Sequence, residues 1–164
     1  MNDISIFLPQ RLSRKLKEKA EENDLLPEEL AVEILFKGLG EESDPEELVE
    51  HYQALSEKYL DEAKEFLKKG DLVQTSEKMW GATALAIKMV AAERGLKLEK
   101  HGSLWGFITR LSEETEDEEL IALFGEANAL HRNFYENEMD QKAVEVIARN
   151  VEGLILKLRK LSQR

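Results

Sequence analysis

The chain of 164 residues contains no cysteine, which excludes disulfide bonds, thiolate zinc sites, iron–sulfur clusters and a cysteine nucleophile. Its three prolines and nine glycines are too few for collagen-like, linker-like or low-complexity sequences. No apolar run approaches the roughly 18 residues that a membrane-spanning helix needs, and the N-terminal residues lack the layout of a signal peptide. These absences predict a soluble, cytoplasmic protein that does not bind membranes.

Motifs for common cofactors are missing as well. There is no GxGxxG sequence and no Walker-type glycine-rich loop, so dinucleotide and P-loop sites are not expected. The three histidines, His51, His101 and His131, lack the HExxH spacing of zinc enzymes. The acidic stretch 113–119 lacks the glycine and the spaced ligands of an EF-hand loop. We therefore expect neither a metal nor another cofactor.

Charged residues make up 35% of the chain, and the formal net charge is −11. A composition rich in Glu and Lys is typical of thermophiles. Because nucleic-acid binders carry basic surfaces, the net charge makes DNA an unlikely partner. Two local stretches are nevertheless basic. They are Arg11, Arg14, Lys15, Lys17 and Lys19 near the start, and Lys157, Arg159, Lys160 and Arg164 at the end.

Hydrophobic periodicity predicts an all-α fold with one short strand. The alternating segment Ile4–Leu8 before Pro9 is the strand candidate, and two amphipathic helices follow it up to about Gly40. Capping signals at Asp44 with Pro45, at Asp71 and at Asp140 begin further helices. We therefore expect a strand–helix–helix unit over residues 1–40 and an antiparallel up-and-down helical bundle over residues 41–164.

A strand of five residues cannot cover its own edge or its apolar side. The same strand from a second copy is the simplest partner, so the sequence predicts a homodimer with Ile4, Ile6 and Leu8 in the interface.

The order of strand, proline, amphipathic helix, tight turn and second helix in residues 3–39 resembles the ribbon-helix-helix repressors. The residues that carry this resemblance are Ile4 to Pro9, Leu12, Leu16, Ala20, Leu30 and Ile34. The resemblance implies DNA binding through alternate strand side chains, here Asp3, Ser5 and Phe7. None of these pairs well with a base, and Glu28 and Glu29 stand where a phosphate would bind. Dimerisation is therefore favoured over DNA reading.

Residues 45–161 are similar to the archaeal PaREP family, which is grouped with the HEPN-like helical domains. Two separated clusters carry the similarity. They are Gly70-Asp71, Glu77 to Ala82, Ala86 to Lys88 and His101 with Leu104-Trp105, then Ala127, Leu130-His131 and Asn133 to Glu136. HEPN relatives include RNA-cleaving toxins, nucleotide-linked proteins and inactive interaction modules, so the resemblance leaves the activity open.

The RNA-cleaving HEPN relatives use an arginine followed by a histidine a few residues later. This pattern implies Arg94 and His101 as a catalytic pair, in which histidine exchanges the proton and arginine holds the phosphate. His131 is a further candidate for such a ribonuclease. The alternative for Arg94 and His101 is a plain helix-end role.

A second polar group lies on one predicted helix. Asn128, His131 and Tyr135 are spaced to share a helix face, and Asn133 and Glu136 lie on a neighbouring strip. They form either a pocket for a nucleotide, phosphate or RNA ligand or an internal hydrogen-bond network.

Lys88 is the only cation between Met79 and Ala92. Extension of its side chain to water is the commoner outcome for such a lysine, and burial against a carboxylate or ligand is the alternative.

Together these features predict a non-enzymatic, HEPN-like, oligomeric binding protein of unknown ligand. A metal-independent toxin-type ribonuclease is the first alternative, and a ribbon-helix-helix DNA-binding regulator is the second.

Overall fold

The computed structural model describes residues 4–98 and 101–162, without the side chains of residues 101 and 102. All regular secondary structure in this part of the chain is helical, which confirms the predicted all-α bundle. Its helices are α1 (Gln10–Glu22), α2 (Pro27–Leu39), α3 (Pro45–Lys68), α4 (Leu72–Glu93), α5 (His101–Thr115), α6 (Glu119–Glu136) and α7 (Gln141–Ser162). The chain divides into two compact units, an N-terminal unit, Met1–Ser43, and a bundle, Asp44–Arg164.

The predicted N-terminal strand is wrong. Residues 4–9 have no regular secondary structure and lead directly into α1. A strand forms only where its backbone N–H and C=O groups pair with a neighbouring strand. No strand occurs in residues 4–98 or 101–162, so the alternation of Ile4, Ile6 and Leu8 has no sheet to join. The N-terminal unit is therefore an irregular segment followed by two helices.

Within the N-terminal unit, the turn between the helices uses local signals. Pro27 occupies the first position of α2, and the Glu29 side chain accepts a hydrogen bond from the backbone N–H of Leu26 at 3.1 Å. Gly40 ends α2 in the left-handed conformation, with φ of 69°, which glycine adopts without steric cost.

Aspartates begin three helices of the bundle. The side chain of Asp44 accepts from the N–H of Glu46, that of Asp71 from Gln74, and that of Asp140 from Ala143. Each bond satisfies an N–H group that the helix itself leaves unpaired. The sequence predicted all three positions because capping depends on neighbouring residues only.

Helix α4 is the centre of the bundle. Every residue from Met79 to Ala92 is buried, and α4 packs against α3, α5, α6 and α7. Ser56 of α3 donates a hydrogen bond to the Ala82 carbonyl at 2.8 Å, which ties the two helices together at a small residue. A helix that is apolar nearly all round is stable only when other helices surround it.

Polar contacts fix the directions of the outer helices. Gly70 lies beside Gln141, and Ser162 donates a hydrogen bond to Glu93, so α4 and α7 run parallel and the predicted up-and-down order is wrong for this pair. Asn150 of α7 donates to Glu126 of α6 at 3.2 Å. Since Lys157 of α7 lies beside Asp117 at the start of α6, α6 and α7 run antiparallel.

Lys157 joins α7 to the turn between α5 and α6. Its ammonium group donates to Asp117 at 2.8 Å and to Glu119 at 3.1 Å. The hydrogen bond to Asp117, assisted by the one to Glu119, raises the pKa of Lys157 above its ordinary value of 10.5.

We expect Leu154→Ala to lower the free energy of unfolding by about 3 kcal/mol, because Leu154 is fully buried in α7. The matched change Leu156→Ala, on the same helix at a side chain 48% exposed, should cost less than about 1 kcal/mol. Urea unfolding followed by tryptophan fluorescence measures both. Equal losses for the two variants would contradict this packing of α7.

We expect Lys157→Met to lower the free energy of unfolding by less than about 1 kcal/mol, since both side chains of the Lys157–Asp117 ion pair are one-third exposed. Because folding raises the pKa, this contribution is complete below pH 10.5 and disappears as the pH rises through the folded-state pKa. The difference between native protein and variant should therefore be constant from neutral pH to about pH 10 and shrink above it. A difference that grows above pH 10.5 would contradict the assignment.

Candidate functional site

An aromatic series connects the core of the bundle to its surface at α6. The ring of His131 stacks on Trp80 of α4, with centroids 4.6 Å apart and planes 25° apart. Tyr135 meets His131 edge to face at 5.5 Å and is 55% exposed, whereas Trp80 is buried. The predicted common face of His131 and Tyr135 is thus present, and the histidine is part of an aromatic contact.

The two tryptophans anchor the same region from inside. Phe124 of α6 lies 5.8 Å from Trp80 and 4.5 Å from Trp105 of α5, measured between ring centroids. The Trp105 pair has the edge-to-face geometry that aromatic rings prefer. These contacts fix α4, α5 and α6 relative to one another.

Asn133 makes its hydrogen bonds inside the fold. It is 3% exposed, and its Nδ2 donates to Ser76 Oγ of α4 at 3.0 Å. Its Oδ1 accepts from the backbone N–H groups of Glu138 and Met139, both at 2.9 Å. Asn133 therefore ends α6 and shapes the connection to α7, a role that accounts for its side chain without a ligand.

The remaining members of the predicted polar group do not converge with Asn133. Asn128 is half-buried on α6. Glu136 is exposed and accepts a hydrogen bond from Arg132, one turn away, at 3.3 Å. The five residues thus divide among the protein interior, an aromatic series and the helix surface.

Lys88 is 4% exposed, so the expectation that it extends to water is wrong. It lies in the fully buried stretch of α4, where charged side chains are rare. Its position in the stretch of α4 from Met79 to Ala92 places it in the core. A ligand role for Lys88 stays a prediction.

Arg94 is engaged at the C-terminal end of α4. Its guanidinium lies 2.6 Å from a carboxylate oxygen of Glu114 in α5 and 5.9 Å from the ring centre of Phe107. A guanidinium that already pairs with a carboxylate attracts a phosphate less strongly, because the carboxylate offsets part of its positive charge. His101 begins α5, but its side chain lies outside the described residues, so the predicted Arg94–His101 pair stays a prediction.

A cleft of about 730 Å³, which the sequence did not predict, lies over α4 between α3 and α7. Ala63, Thr75, Met79 and Ala148 are its buried lining residues. An ion pair between Lys64 of α3 and Glu152 of α7, 2.7 Å long, joins its two walls. Other charged lining residues also have polar partners: Lys68 pairs with Glu65, and Glu145 accepts a hydrogen bond from Gln141. Because cations and carboxylates alternate along both walls, the cleft favours no single charge of ligand.

Two further features of the described part of the chain are the grouping of its His, Asp and Glu side chains and the apolar length of its helices. Residues 4–98 and 101–162 contain no group of three or more His, Asp or Glu side chains that could hold a metal ion. None of the helices described is long and apolar enough to cross a membrane.

The N-terminal unit exposes most of the large apolar side chains that lie on the surface. Eight of them form what we call the N-terminal apolar surface: Ile4, Ile6, Phe7, Leu8, Leu12, Ile34, Leu35 and Leu39. Phe7 is 99% exposed, and within residues 4–43 only Ala20 and Glu29 are buried. The much larger bundle exposes Leu96, Tyr135 and Leu156 among its described residues. The exposed large apolar side chains are thus concentrated in the N-terminal unit.

A family model described as the archaeal PaREP1/PaREP8 family matches residues 51–155. The chain belongs to this family. The match lies wholly within the bundle, from α3 into α7, and confirms the predicted PaREP membership.

A solved structure supports the fold of this PaREP protein. The crystal structure of a protein from Sulfolobus solfataricus is 28% identical, with a TM-score of 0.61, and the alignment covers 67% of this chain and 98% of that one. No curated protein matches the chain. The HEPN-like grouping and the ribbon-helix-helix resemblance are not confirmed by these comparisons.

We expect Asn133→Ala to lower the free energy of unfolding by about 2 kcal/mol or more, because two backbone N–H groups and Ser76 lose their partner. Asn150→Ala, which removes one exposed hydrogen bond, is the matched control and should cost less than about 0.5 kcal/mol. Urea unfolding measures both values. A loss for Asn133→Ala no larger than for the control would contradict the structural role.

Proposed function

We propose that this PaREP protein is a non-enzymatic interaction protein that forms a homo-oligomer, at least a dimer, through its N-terminal apolar surface. The observation that carries the proposal is that Ala20 and Glu29 are the only buried residues of the N-terminal unit within 4–43. A unit of about 40 residues usually needs disulfides, a metal or oligomerisation to fold stably. The chain has no cysteine, which leaves association as the available means.

The helices of the unit need tertiary support. α1 and α2 have 13 residues each, and isolated helices of that length are marginal in water. The apolar side chains that would stabilise them are exposed in a single chain. A covering surface therefore contributes both hydrophobic burial and helix stability.

A second copy is the simplest covering surface. Every chain has the same deficiency, and a two-fold interface satisfies both copies at once because each surface covers the other. The eight side chains are 40% to 99% exposed in a single chain, and a standard interface buries roughly 800 Å² per partner. This interface is formed by side chains on α1, α2 and the segment before them.

The absence of enzymatic activity is the second half of the proposal. Arg94, the phosphate-holding candidate, is paired with Glu114, and Asn133 is committed to the α6–α7 connection. His131 contributes to an aromatic stack with Trp80. These contacts give structural roles to two of the catalytic candidates, Arg94 and His131, and to the ligand-binding candidate Asn133.

We expect light scattering of the full-length protein at micromolar concentration to give at least twice the 18.8 kDa of one chain. The double variant Phe7→Ser with Leu39→Ser should shift the mass to that of the monomer, because two exposed apolar side chains lose their burial in the interface. Leu156→Ser, at an exposed leucine of the bundle, is the control and should leave the mass unchanged.

A native protein that is monomeric at this concentration would overturn the proposed association. Cleavage of pooled RNA in EDTA that Arg94→Ala abolishes would overturn the non-enzymatic half.

A further inference from the structure

The charges of α1 are arranged against the electrostatics of the helix. Its first turn contains Arg11 and no acidic residue, although the N-terminal end of a helix carries partial positive charge. At the other end Glu21 and Glu22 lie beside the carbonyl groups that carry partial negative charge, and Lys19 is the single basic residue of the last turn. Both placements are unfavourable within a single chain.

Repulsion between neighbouring side chains adds to this conflict. We call Arg11, Arg14, Lys15, Lys17 and Lys19 the cationic half of α1, and Glu21, Glu22 and Asp24 its acidic end. In the cationic half, Arg11 and Lys15 are four residues apart, as are Lys15 and Lys19, a spacing at which like charges destabilise a helix. Residues 20–33 hold six acidic residues and no basic one, whereas residues 11–19 hold five basic residues and a single acidic one, Glu18, four residues from Arg14.

None of these eight side chains has a partner in the described residues. All are exposed, and none takes part in an ion pair or a side-chain hydrogen bond. In the bundle, by contrast, Lys64 forms an ion pair with Glu152, and Lys157 forms one with Asp117. The N-terminal unit therefore presents two unsatisfied charged regions of opposite sign beside its apolar surface.

We infer that a second copy satisfies both regions by packing its α1 antiparallel to the first, with the cationic half of each helix against the acidic end of the other. The inference rests on the proposed self-association and specifies its orientation. A two-fold axis perpendicular to α1 makes the paired helices antiparallel and forms each charge contact twice. Parallel packing would instead place cation on cation.

The same arrangement explains the reversed charges of α1. Opposite charges supplied by the partner lie near each helix end and offset the unfavourable interaction with the macrodipole. The apolar side of α1, which includes Leu12, contributes to the same contact. Charge complementarity then selects both the partner and its orientation, because like charges brought together in an interface are strongly unfavourable.

A charge-swap experiment tests this orientation in the full-length protein. Variant one carries Arg11→Glu and Arg14→Glu, and variant two carries Glu21→Lys and Glu22→Lys. We expect each variant alone to dimerise at least ~10-fold more weakly than the native protein, because like charges then face each other. An equimolar mixture should recover the native dissociation constant to within about threefold, since the heterodimer again pairs opposite charges. Sedimentation velocity measures all three.

Two features of the design separate the inference from a folding defect. Each swap improves the match between α1 and its macrodipole, so loss of helix does not account for weaker association, and far-ultraviolet circular dichroism checks this. The control Lys142→Glu with Arg149→Glu makes the same change in net charge as variant one at exposed positions of α7. It should leave the dissociation constant within about twofold.

The outcomes distinguish the inference from the proposed function. The antiparallel pairing would be overturned by single variants that dimerise as tightly as the native protein, or by a mixture that dimerises no more tightly than the variants alone. Either result would leave self-association intact. A native protein that stays monomeric would overturn the proposed function and the inference together.

Discussion

Burial of apolar surface differs between the two units of this protein: the bundle encloses a core within one chain, whereas the N-terminal unit leaves eight large apolar side chains exposed. In the bundle, α4 is enclosed by four other helices, and its residues from Met79 to Ala92 are removed from water. The N-terminal unit buries only Ala20 and Glu29 within residues 4–43. Because hydrophobic burial is the dominant favourable term in folding, the bundle has its own core within one chain, and we propose that the N-terminal unit depends on association.

Local sequence signals predicted where helices begin, but they could not predict which segments contact each other across the chain. Asp44, Asp71 and Asp140 begin helices where the sequence indicated, since a cap needs only its next few residues. The strand before Pro9 was wrong because alternation alone cannot supply a hydrogen-bonded neighbour. The sequence left the burial of Lys88 open between two outcomes, because the helices packed around α4 decide it.

In the candidate site too, the sequence predicted local features but not contacts between helices. The spacing of His131 and Tyr135 predicted their common face, yet only the fold brings Trp80 under the histidine. Asn133 had a ligand-like pattern in the sequence, and the turn it stabilises lies just beyond its own helix. Family membership fixes the bundle and leaves its activity open. The interaction surface of the N-terminal unit is therefore the feature on which our account of function depends.

Hydrogen exchange of the native protein at several concentrations tests that dependence most directly. Amide groups of α1 and α2 should gain protection as concentration rises, because their helices are stabilised by a second copy. Amide groups of α4, which is buried within one chain, should exchange at a rate independent of concentration. Protection of α1 and α2 that is strong and unchanged on dilution to the monomer would contradict the account.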